Sequence, residues 1–393
     1  MVRTIKFMAT LAMTAGAFGV LSANPAGAAQ SVLHATALAA GANHNCAVTA
    51  TSPAVANAGG AVVCWGRNDW GQLGNGTTSG SAAAVPVTGL SSGVRTVSAG
   101  HSYSCALTEA GGVWCWGSNS SGQLGDGNTT DSAVPVQVTG LQSGVAAISA
   151  GEYHACAITD DGAAKCWGQG RAGALGDGRS RSSSTPVSPV GLGAGVVAIS
   201  AGGFHTCAIL SNAGAKCWGL NEYGQVGNGQ TGLEPRPVDV TGIGPVAQIS
   251  AGAIHTCAVT TDGAAMCWGY NHYGQLGNAS ISDQHSPAQV DGLTSGVSAI
   301  DTGSYHTCAL TTEGVRCWGQ NLLGQFGDGG NSSLAAPRAV QGLEGDAHDV
   351  NAGKAHNCAI TGQGEVMCWG RNNFGQLGNG TVADSNMPVG VQG

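Results

Sequence analysis

Residues 205–219 read HTCAILSNAGAKCWG, with His205 two positions before Cys207 and Cys217 ten positions after that cysteine. Taken alone, the two cysteines are compatible with a metal site, a redox pair or a disulfide. The rest of the chain narrows the choice, because similar stretches return six more times. The second cysteine of each copy follows at steps of 50 or 51 residues, at Cys64, Cys115, Cys166, Cys217, Cys267, Cys317 and Cys368. A fixed period of this length is typical of a solenoid, a propeller or another repeat array.

Each copy contains four short segments with the composition of β-strands. In residues 248–291, QISA and HTCAVT come first, and AAMCWG follows the turn signal TTDG. Aspartate followed by glycine favours a tight hairpin, and the last segment, SPAQV, carries a proline that fits an edge strand. A β-helix is the alternative, but its repeat units are usually much shorter. Seven such copies without a helical period predict an all-β fold, a seven-bladed β-propeller of four-stranded antiparallel blades with one disulfide per blade.

The repeat AGxxHTCALTxDGxxxCWGxNxxGQLGxG resembles that of the regulator of chromosome condensation family across essentially the whole of residues 29–393. The resemblance implies a seven-bladed propeller that acts by binding proteins. Nuclear members promote nucleotide exchange on a small GTPase, and plant photoreceptors of the family carry tryptophan and arginine in the first loop, where this chain has neither. In export and layout the chain is similar to an exported bacterial propeller that inhibits β-lactamases, but its loops match too little for that target to be carried over.

We predict that the cysteines form one disulfide within each blade. Folding the hairpin about residue 212 places Cys207 and Cys217 on opposing strands and on one face, at a Cα separation that suits a disulfide. Zinc would need ligands two to four positions apart, and no CxxC redox motif is present. The predicted pairs are Cys46–Cys64, Cys105–Cys115, Cys156–Cys166, Cys207–Cys217, Cys257–Cys267, Cys308–Cys317 and Cys358–Cys368. The first hairpin has a longer loop, and the sixth is one residue short, so we expect its turn or register to differ.

A histidine stands two residues before the first cysteine in six copies, at His44, His154, His205, His255, His306 and His356. Tyr103 takes this place in the second copy, and it interrupts any metal-binding ring at the propeller axis. We therefore expect one structural task repeated in each blade, with imidazoles satisfying backbone groups of the turns. The tryptophans that follow the second cysteines are expected to pack between blades. We expect no metal and no cofactor, and no blade departs from the repeat with a Ser-His-Asp or paired-carboxylate arrangement, which argues against an enzyme.

Residues 1–28 have the features of a secretory signal peptide. Arg3 and Lys6 form a basic start, residues 7–21 are apolar, and AGAA offers a cleavage site. The sequence therefore predicts export of a propeller, residues 29–393, to a secreted, periplasmic or cell-surface location. Without Arg3 and Lys6, 12 basic residues face 22 acidic ones, a net charge of about −10. This balance argues against nucleic acid and anionic membranes as partners, and no other segment predicts membrane insertion.

The loop between the first and second strands and the loop between the third and fourth strands should emerge on one face of the propeller. All six tyrosines of the chain lie in these loops when Tyr103 is included, and protein-recognition surfaces are enriched in aromatic residues. The predicted partner-binding residues are Trp70, Tyr153, Phe204, Tyr223, Tyr270, Tyr273, Tyr305 and Phe374. We predict a monomeric module that binds an unidentified protein partner as an inhibitor or a scaffold. The alternative is a lectin-like module for carbohydrates or cell surfaces, since aromatic loops also stack on sugars.

Overall fold

The computed structural model describes residues 31–49, 59–345 and 347–393. Its strands form seven four-stranded antiparallel sheets, each built from four consecutive strands, and each sheet packs against the next around a ring. The predicted all-β, seven-bladed propeller is confirmed. The predicted signal peptide lies outside the described residues.

The blades are numbered in chain order, so that blade 1 comprises β1–β4 and blade 7 comprises β25–β28. In blades 1–4 the strands are β1 Ala35–Ala40, β2 His44–Thr49, β3 Val62–Gly66, β4 Ser81–Pro86, β5 Val94–Ala99, β6 Tyr103–Thr108, β7 Val113–Gly117, β8 Ser132–Gln137, β9 Val145–Ala150, β10 His154–Thr159, β11 Ala164–Gly168, β12 Ser183–Val187, β13 Val196–Ala201, β14 His205–Leu210, β15 Ala215–Asn221 and β16 Gly232–Asp239. In blades 5–7 they are β17 Val246–Ala251, β18 His255–Thr260, β19 Ala265–Gly269, β20 Gln284–Gln289, β21 Val297–Thr302, β22 His306–Thr311, β23 Gly314–Gly319, β24 Leu334–Ala339, β25 Ala347–Ala352, β26 His356–Thr361, β27 Val366–Gly370 and β28 Ser385–Gly390. A short 3-10 turn, Arg171–Gly173, lies between β11 and β12.

All fourteen cysteines form disulfides within their own blades, in the seven predicted pairs. In blade 4, Cys207 and Cys217 stand directly opposite each other on β14 and β15, with their Cα atoms 4.0 Å apart. The shorter sixth hairpin closes between Thr311 and Gly314, and this tighter turn keeps its two cysteines opposed. The predicted difference in the sixth turn is confirmed.

Each hydrophobic core lies between two neighbouring blades. In the first core, Cys46 and Cys64 of blade 1 pack with Trp116 of blade 2. The Trp116 indole is fully buried, and its Nε1 donates to the Gln72 carbonyl of blade 1 at 2.9 Å. A buried indole needs such an acceptor, and all seven of these tryptophans have one. The prediction that the tryptophans pack between blades is confirmed.

The ring closes through the residues that precede β1. In blades 1 and 2 the first amide of the third strand donates to a leucine that follows the fourth strand, Leu90 or Leu141. In blade 7 this acceptor is Leu33, whose own amide donates to Val391 at 2.8 Å. Residues 31–34 therefore complete blade 7 from the other end of the chain.

Candidate functional site

The antiparallel strand order brings the loops between first and second strands and the loops between third and fourth strands to the same end of each blade. We call this surface the aromatic face, defined by the side chains of Trp70, Tyr153, Phe204, Tyr223, Tyr270, Tyr273, Tyr305 and Phe374. Trp70 and Tyr273 are 47% and 38% exposed, and the other six are half-buried. The predicted set thus lies on one face, where it separates into smaller groups.

The largest group is a tyrosine cluster from blades 4 to 6, consisting of Tyr223, Tyr270, Tyr273 and Tyr305. The ring centroids of Tyr223 and Tyr270 are 5.0 Å apart, and those of Tyr273 and Tyr305 are 5.1 Å apart. Tyr270 and Tyr305 join the two pairs at 6.1 Å. Burial, followed by the neighbouring phenols, raises the pKa of Tyr270, so its hydroxyl remains a neutral hydrogen-bonding group.

Two smaller groups contain Tyr153, Phe204 and Phe374, which are the remaining aromatic residues of this face apart from Trp70. The Tyr153 ring lies 5.5 Å from Phe204 and stacks on His101 at 5.3 Å. Across the ring closure, the Arg67 guanidinium of blade 1 lies over the Phe374 ring of blade 7, 4.9 Å from its centroid. Contacts of this kind between a cation and an aromatic ring hold both side chains in place.

The loops that carry these side chains are fixed by buried amides. In blade 5, the Asn271 side chain donates to the carbonyls of Ser280 and Ser282, both at 3.0 Å, and accepts from the Leu276 amide. The Tyr273 amide donates to the Gln275 side chain at 3.0 Å. Asn271 and Gln275 are fully buried. Tyr273 is therefore presented by a rigid loop, which lowers the entropy lost on binding.

The axial histidines bind the neighbouring blade. His255 Nε2 lies 2.9 Å from Thr307 Oγ1 of the next blade, and that hydroxyl donates to the Gln275 carbonyl at 2.9 Å. Since the hydroxyl already donates, Nε2 must carry the proton. The corresponding pairs are His44–Ser104, His154–Thr206, His205–Thr256, His306–Asn357 and His356–Asn45. The sequence led us to expect turn backbone as the partner, and the structure shows that it is a side chain of the adjacent blade.

The other nitrogen of each axial histidine, Nδ1, is buried and has no hydrogen-bond partner among the described residues. Burial lowers the pKa of His44, His205, His255 and His356 to about 3, and that of His154 and His306 to about 4. The imidazole edge packs on the preceding glycine, since a Cβ on Gly303 would come 2.3 Å from His306 Cε1. Within the described ranges, no group of three or more histidine, cysteine or acidic side chains is placed to hold a metal ion.

Tyr103 does not belong to the aromatic face, although it was counted with the loop tyrosines. It is the first residue of β6, is fully buried, and its hydroxyl donates to the His154 carbonyl at 2.6 Å. Tyr103 takes the place of an axial histidine, and its longer side chain reaches the backbone of the next blade. The count of six loop tyrosines is therefore corrected to five.

Sequence reasoning missed several residues of this face because it considered aromatic side chains alone. Leu322, 61% exposed, occupies in blade 6 the loop position that His272 holds in blade 5. Glu152 and Lys354 line a cavity of about 90 Å³ at the propeller axis, and burial raises the pKa of Glu152. Both follow the repeated Ala-Gly pair directly, and this shared place in the repeat was the signal that could have found them.

The sequence profile of the regulator of chromosome condensation (RCC1) repeat matches residues 59–107, 110–158, 161–209, 217–259, 262–310 and 363–393. These ranges cover more than half of the chain. The chain belongs to the RCC1 repeat family. Propellers of this family are typically protein-binding or regulatory modules.

Among curated relatives of this RCC1-repeat chain, the Ultraviolet-B receptor UVR8 of Arabidopsis thaliana is 33% identical over 171 residues, 43% of this chain and 39% of UVR8. The human E3 ubiquitin-protein ligase HERC2 is 34% identical over 53% of this chain but only 4% of HERC2. The match thus spans less than half the length of either relative.

Two solved structures share the fold. Human WBSCR16 superposes with a TM-score of 0.73 at 25% identity, covering 84% of this chain and 87% of that one. Prp20p from Saccharomyces cerevisiae superposes with a TM-score of 0.74 at 19% identity, covering 92% and 88%. No helix in the described part of the chain is long and apolar enough to cross a membrane.

Proposed function

We propose that this RCC1-repeat propeller is an exported module that binds a protein partner through its aromatic face, as an inhibitor or a scaffold. The observation that carries the proposal is the tyrosine cluster, Tyr223, Tyr270, Tyr273 and Tyr305, held on rigid loops at one end of the blades. Tyrosine and tryptophan supply much of the binding energy at protein interfaces, especially where they are preorganised.

The comparisons support protein binding as the mode of action. The yeast RCC1 protein Prp20 has been crystallised bound to Kap60, and its structure was described together with its binding to Gsp1p and histones. Those partners belong to that protein, which shares only the fold with this chain. What we carry over is the use of the propeller as a protein-binding scaffold.

Seven disulfides support export, because such bonds persist in oxidising compartments. They agree with the signal-peptide features of residues 1–28 and with a secreted, periplasmic or cell-surface location. The chain would act there as a monomer.

The arrangement of the rings favours a protein over a sugar. In the tyrosine cluster the ring planes meet at 71° for Tyr223 and Tyr270 and at 54° for Tyr273 and Tyr305, so these rings do not form a flat, parallel platform. A sugar stacks on an open, flat ring face, whereas apolar side chains of a protein fit between tilted rings.

The proposal is tested by affinity capture with residues 29–393, followed by affinity measurements on the partner obtained. Alanine at Trp70, Tyr223, Tyr273 or Phe374 should weaken binding, by about 2 kcal/mol or more for at least one of the four. These side chains lie outside the disulfide hairpins, so the melting temperature should stay close to that of the parent protein.

The matched control lies at the opposite end of the blades. Thr261 and Thr312 are exposed in the hairpins between second and third strands, and alanine at either position should leave the affinity unchanged. If the affinity depends on Thr261 or Thr312 and not on the four aromatic residues, the binding site lies at the hairpin end of the blades and the proposal is refuted.

A further inference from the structure

Blade 3 departs from the repeat in the loop between its third and fourth strands. In the other six blades a buried asparagine ties this loop together, at Asn68, Asn119, Asn221, Asn271, Asn321 and Asn372. Blade 3 has Gly170 instead, and a Cβ there would lie 1.8 Å from the Arg181 carbonyl oxygen. The returning backbone thus fills the space of the missing side chain. A different loop replaces the shared one in this blade alone.

The altered loop carries arginines where the other blades carry uncharged residues. Arg179 and Arg181 stand nine and eleven residues after Gly170. The equivalent residues elsewhere are Thr77, Ser79, Asn128, Thr130, Gln230, Gly232, Ser280, Ser282, Gly330, Ser332, Thr381 and Ala383. Arg171 follows Gly170 directly and begins the 3-10 turn of this loop. The change in loop structure and the gain of positive charge therefore coincide.

A fourth arginine comes from blade 4. Arg236 lies on the outer strand β16, and a Cβ on Gly178 would come 3.0 Å from its Nε atom. The Arg236 guanidinium therefore rests on the loop beside Arg179. The Gly178 amide donates to the Pro235 carbonyl at 3.0 Å, which fixes the loop against the strand.

The four arginines, called here the arginine patch, are exposed. None of them lies within 4 Å of a carboxylate in the described ranges. The nearest acidic residue along the loop, Asp177, accepts from the Arg179 amide at 3.0 Å. Residues 29–393 contain 12 basic against 22 acidic residues. One third of the positive charge of an acidic protein is thus gathered in one place.

We propose that the arginine patch docks an acidic surface of the protein partner, and this proposal rests on the function proposed for the aromatic face. Arg171 is followed by Ala172, which holds in blade 3 the loop position of Tyr223 in blade 4 and Tyr273 in blade 5. The patch is therefore continuous with the aromatic face. Guanidinium groups bind carboxylates through paired hydrogen bonds, and a charged rim accelerates association with an oppositely charged partner.

The test compares the oxidised protein, residues 29–393, with two variants of equal charge. The patch variant carries Arg171→Gln, Arg179→Gln, Arg181→Gln and Arg236→Gln. The control variant carries Lys165→Gln, Lys216→Gln, Arg316→Gln and Arg338→Gln, which lie on third or fourth strands and outside the loop. The probes are fluorescent poly-glutamate, poly-lysine, heparin and single-stranded oligo-dT, at low and at high salt. Melting temperatures establish that both variants fold.

We expect poly-glutamate to bind the parent and the control protein at low salt, and to bind the patch variant at least about tenfold more weakly. High salt should abolish the difference. Equal binding by patch and control variants would overturn the proposal, as would no binding of poly-glutamate to the parent. Tighter binding of heparin or oligo-dT than of poly-glutamate would show a polyanion site instead of a protein-docking surface.

The same variants separate this proposal from that for the aromatic face once a partner is in hand. If the alanine substitutions weaken binding of the partner and the patch variant binds it normally, the proposed docking of acidic residues is refuted and the aromatic site stands. If only the patch variant binds the partner more weakly, the proposed aromatic site is refuted.

Discussion

The axial histidines govern the response of the molecule to acid. In His255, Nε2 donates to Thr307, while Nδ1 is buried with no partner among the described residues. Protonation would place a positive charge and a second N–H donor where no described residue accepts a hydrogen bond. Burial lowers the pKa of the six axial histidines to about 3 or 4, from 6.5 for the free side chain. At pH values between the folded and unfolded pKa, the histidines are protonated in the unfolded chain but neutral in the folded chain.

We therefore predict that stability is highest above pH 6.5 and falls steeply as the pH drops toward 4. Each histidine contributes a slope of about 1.4 kcal/mol per pH unit in this window. Urea unfolding of the oxidised protein at several pH values measures the slope. In the His205→Gln variant the slope should be smaller by the contribution of one histidine, whereas His348→Gln, at an exposed position, should keep the full slope. Equal slopes for both variants would contradict this account of the ring.

The pKa of Asp301 is raised, so this residue affects the pH dependence of stability in the opposite direction to the histidines. Four other blades have serine at this position of the innermost strand, at Ser98, Ser149, Ser200 and Ser250. The Asp301 carboxylate accepts from the Ser250 hydroxyl and the Ala352 amide, both at 2.7 Å. Burial is the main reason that its pKa rises to about 6, and the nearby Asp349 adds to the shift. At neutral pH the folded protein thus holds a buried charge at a cost.

Asp301→Asn should stabilise the protein by about 2 kcal/mol at pH 7.5, because it removes that charge. The cost of the raised pKa is fully present above about pH 6 and vanishes only below the unfolded value of 3.8, so the advantage of the variant should fall to about half near pH 5. Thermal unfolding at the two pH values gives the comparison. Asp291→Asn, at an exposed position, should change nothing. A stabilisation that is undiminished at pH 5 would exclude the buried charge as its cause.

Among the elements, the disulfide hairpin is the unit that recurs. Cysteine opposes cysteine across the second and third strands of every blade, and each pair lies in the core shared with the next blade. A disulfide that closes a loop of about ten residues stabilises a protein by about 3 kcal/mol, mainly through the unfolded chain.

The double variant Cys257→Ala and Cys267→Ala should lower the free energy of unfolding by about 2 to 3 kcal/mol. It should also leave twelve cysteines paired, as the intact mass before and after alkylation will show. Peptide mapping of the parent protein should find only pairs within a blade. Free thiols in the oxidised protein, or a disulfide between blades, would contradict the pairing within each blade.

The sequence predicted the hairpins well because their contacts are local. Cys207 and Cys217 flank one turn, so their pairing follows from counting residues about residue 212. The partner of His255 could not be found in this way, because Thr307 lies 52 positions further on, in another blade. The position of Tyr103 also depends on packing against another blade, and the sequence alone assigned it to a loop. It appeared beside loop residues in the sequence, and only the packed structure shows it at the buried start of β6.

In the whole molecule, ring closure and the grouping of side chains depend on contacts between the two ends of the chain. Leu33 completes blade 7, and Arg67 of blade 1 stacks on Phe374 of blade 7. Neither contact follows from the repeat pattern, since the repeat does not say which segment completes the last blade or which side chains meet where the ring closes. The eight aromatic residues were predicted as one set, and the ring geometry divides them into the tyrosine cluster and smaller groups.

Hydroxyl-radical footprinting of the captured complex shows directly whether the aromatic face binds the protein partner. Trp70 and Tyr273 are exposed on this face, while Met266 is half-buried beside the hairpins at the other end. We predict that the partner reduces oxidation of Trp70 and Tyr273 severalfold and leaves Met266 unchanged. Protection of Met266 with full oxidation of Trp70 and Tyr273 would contradict binding through the aromatic face.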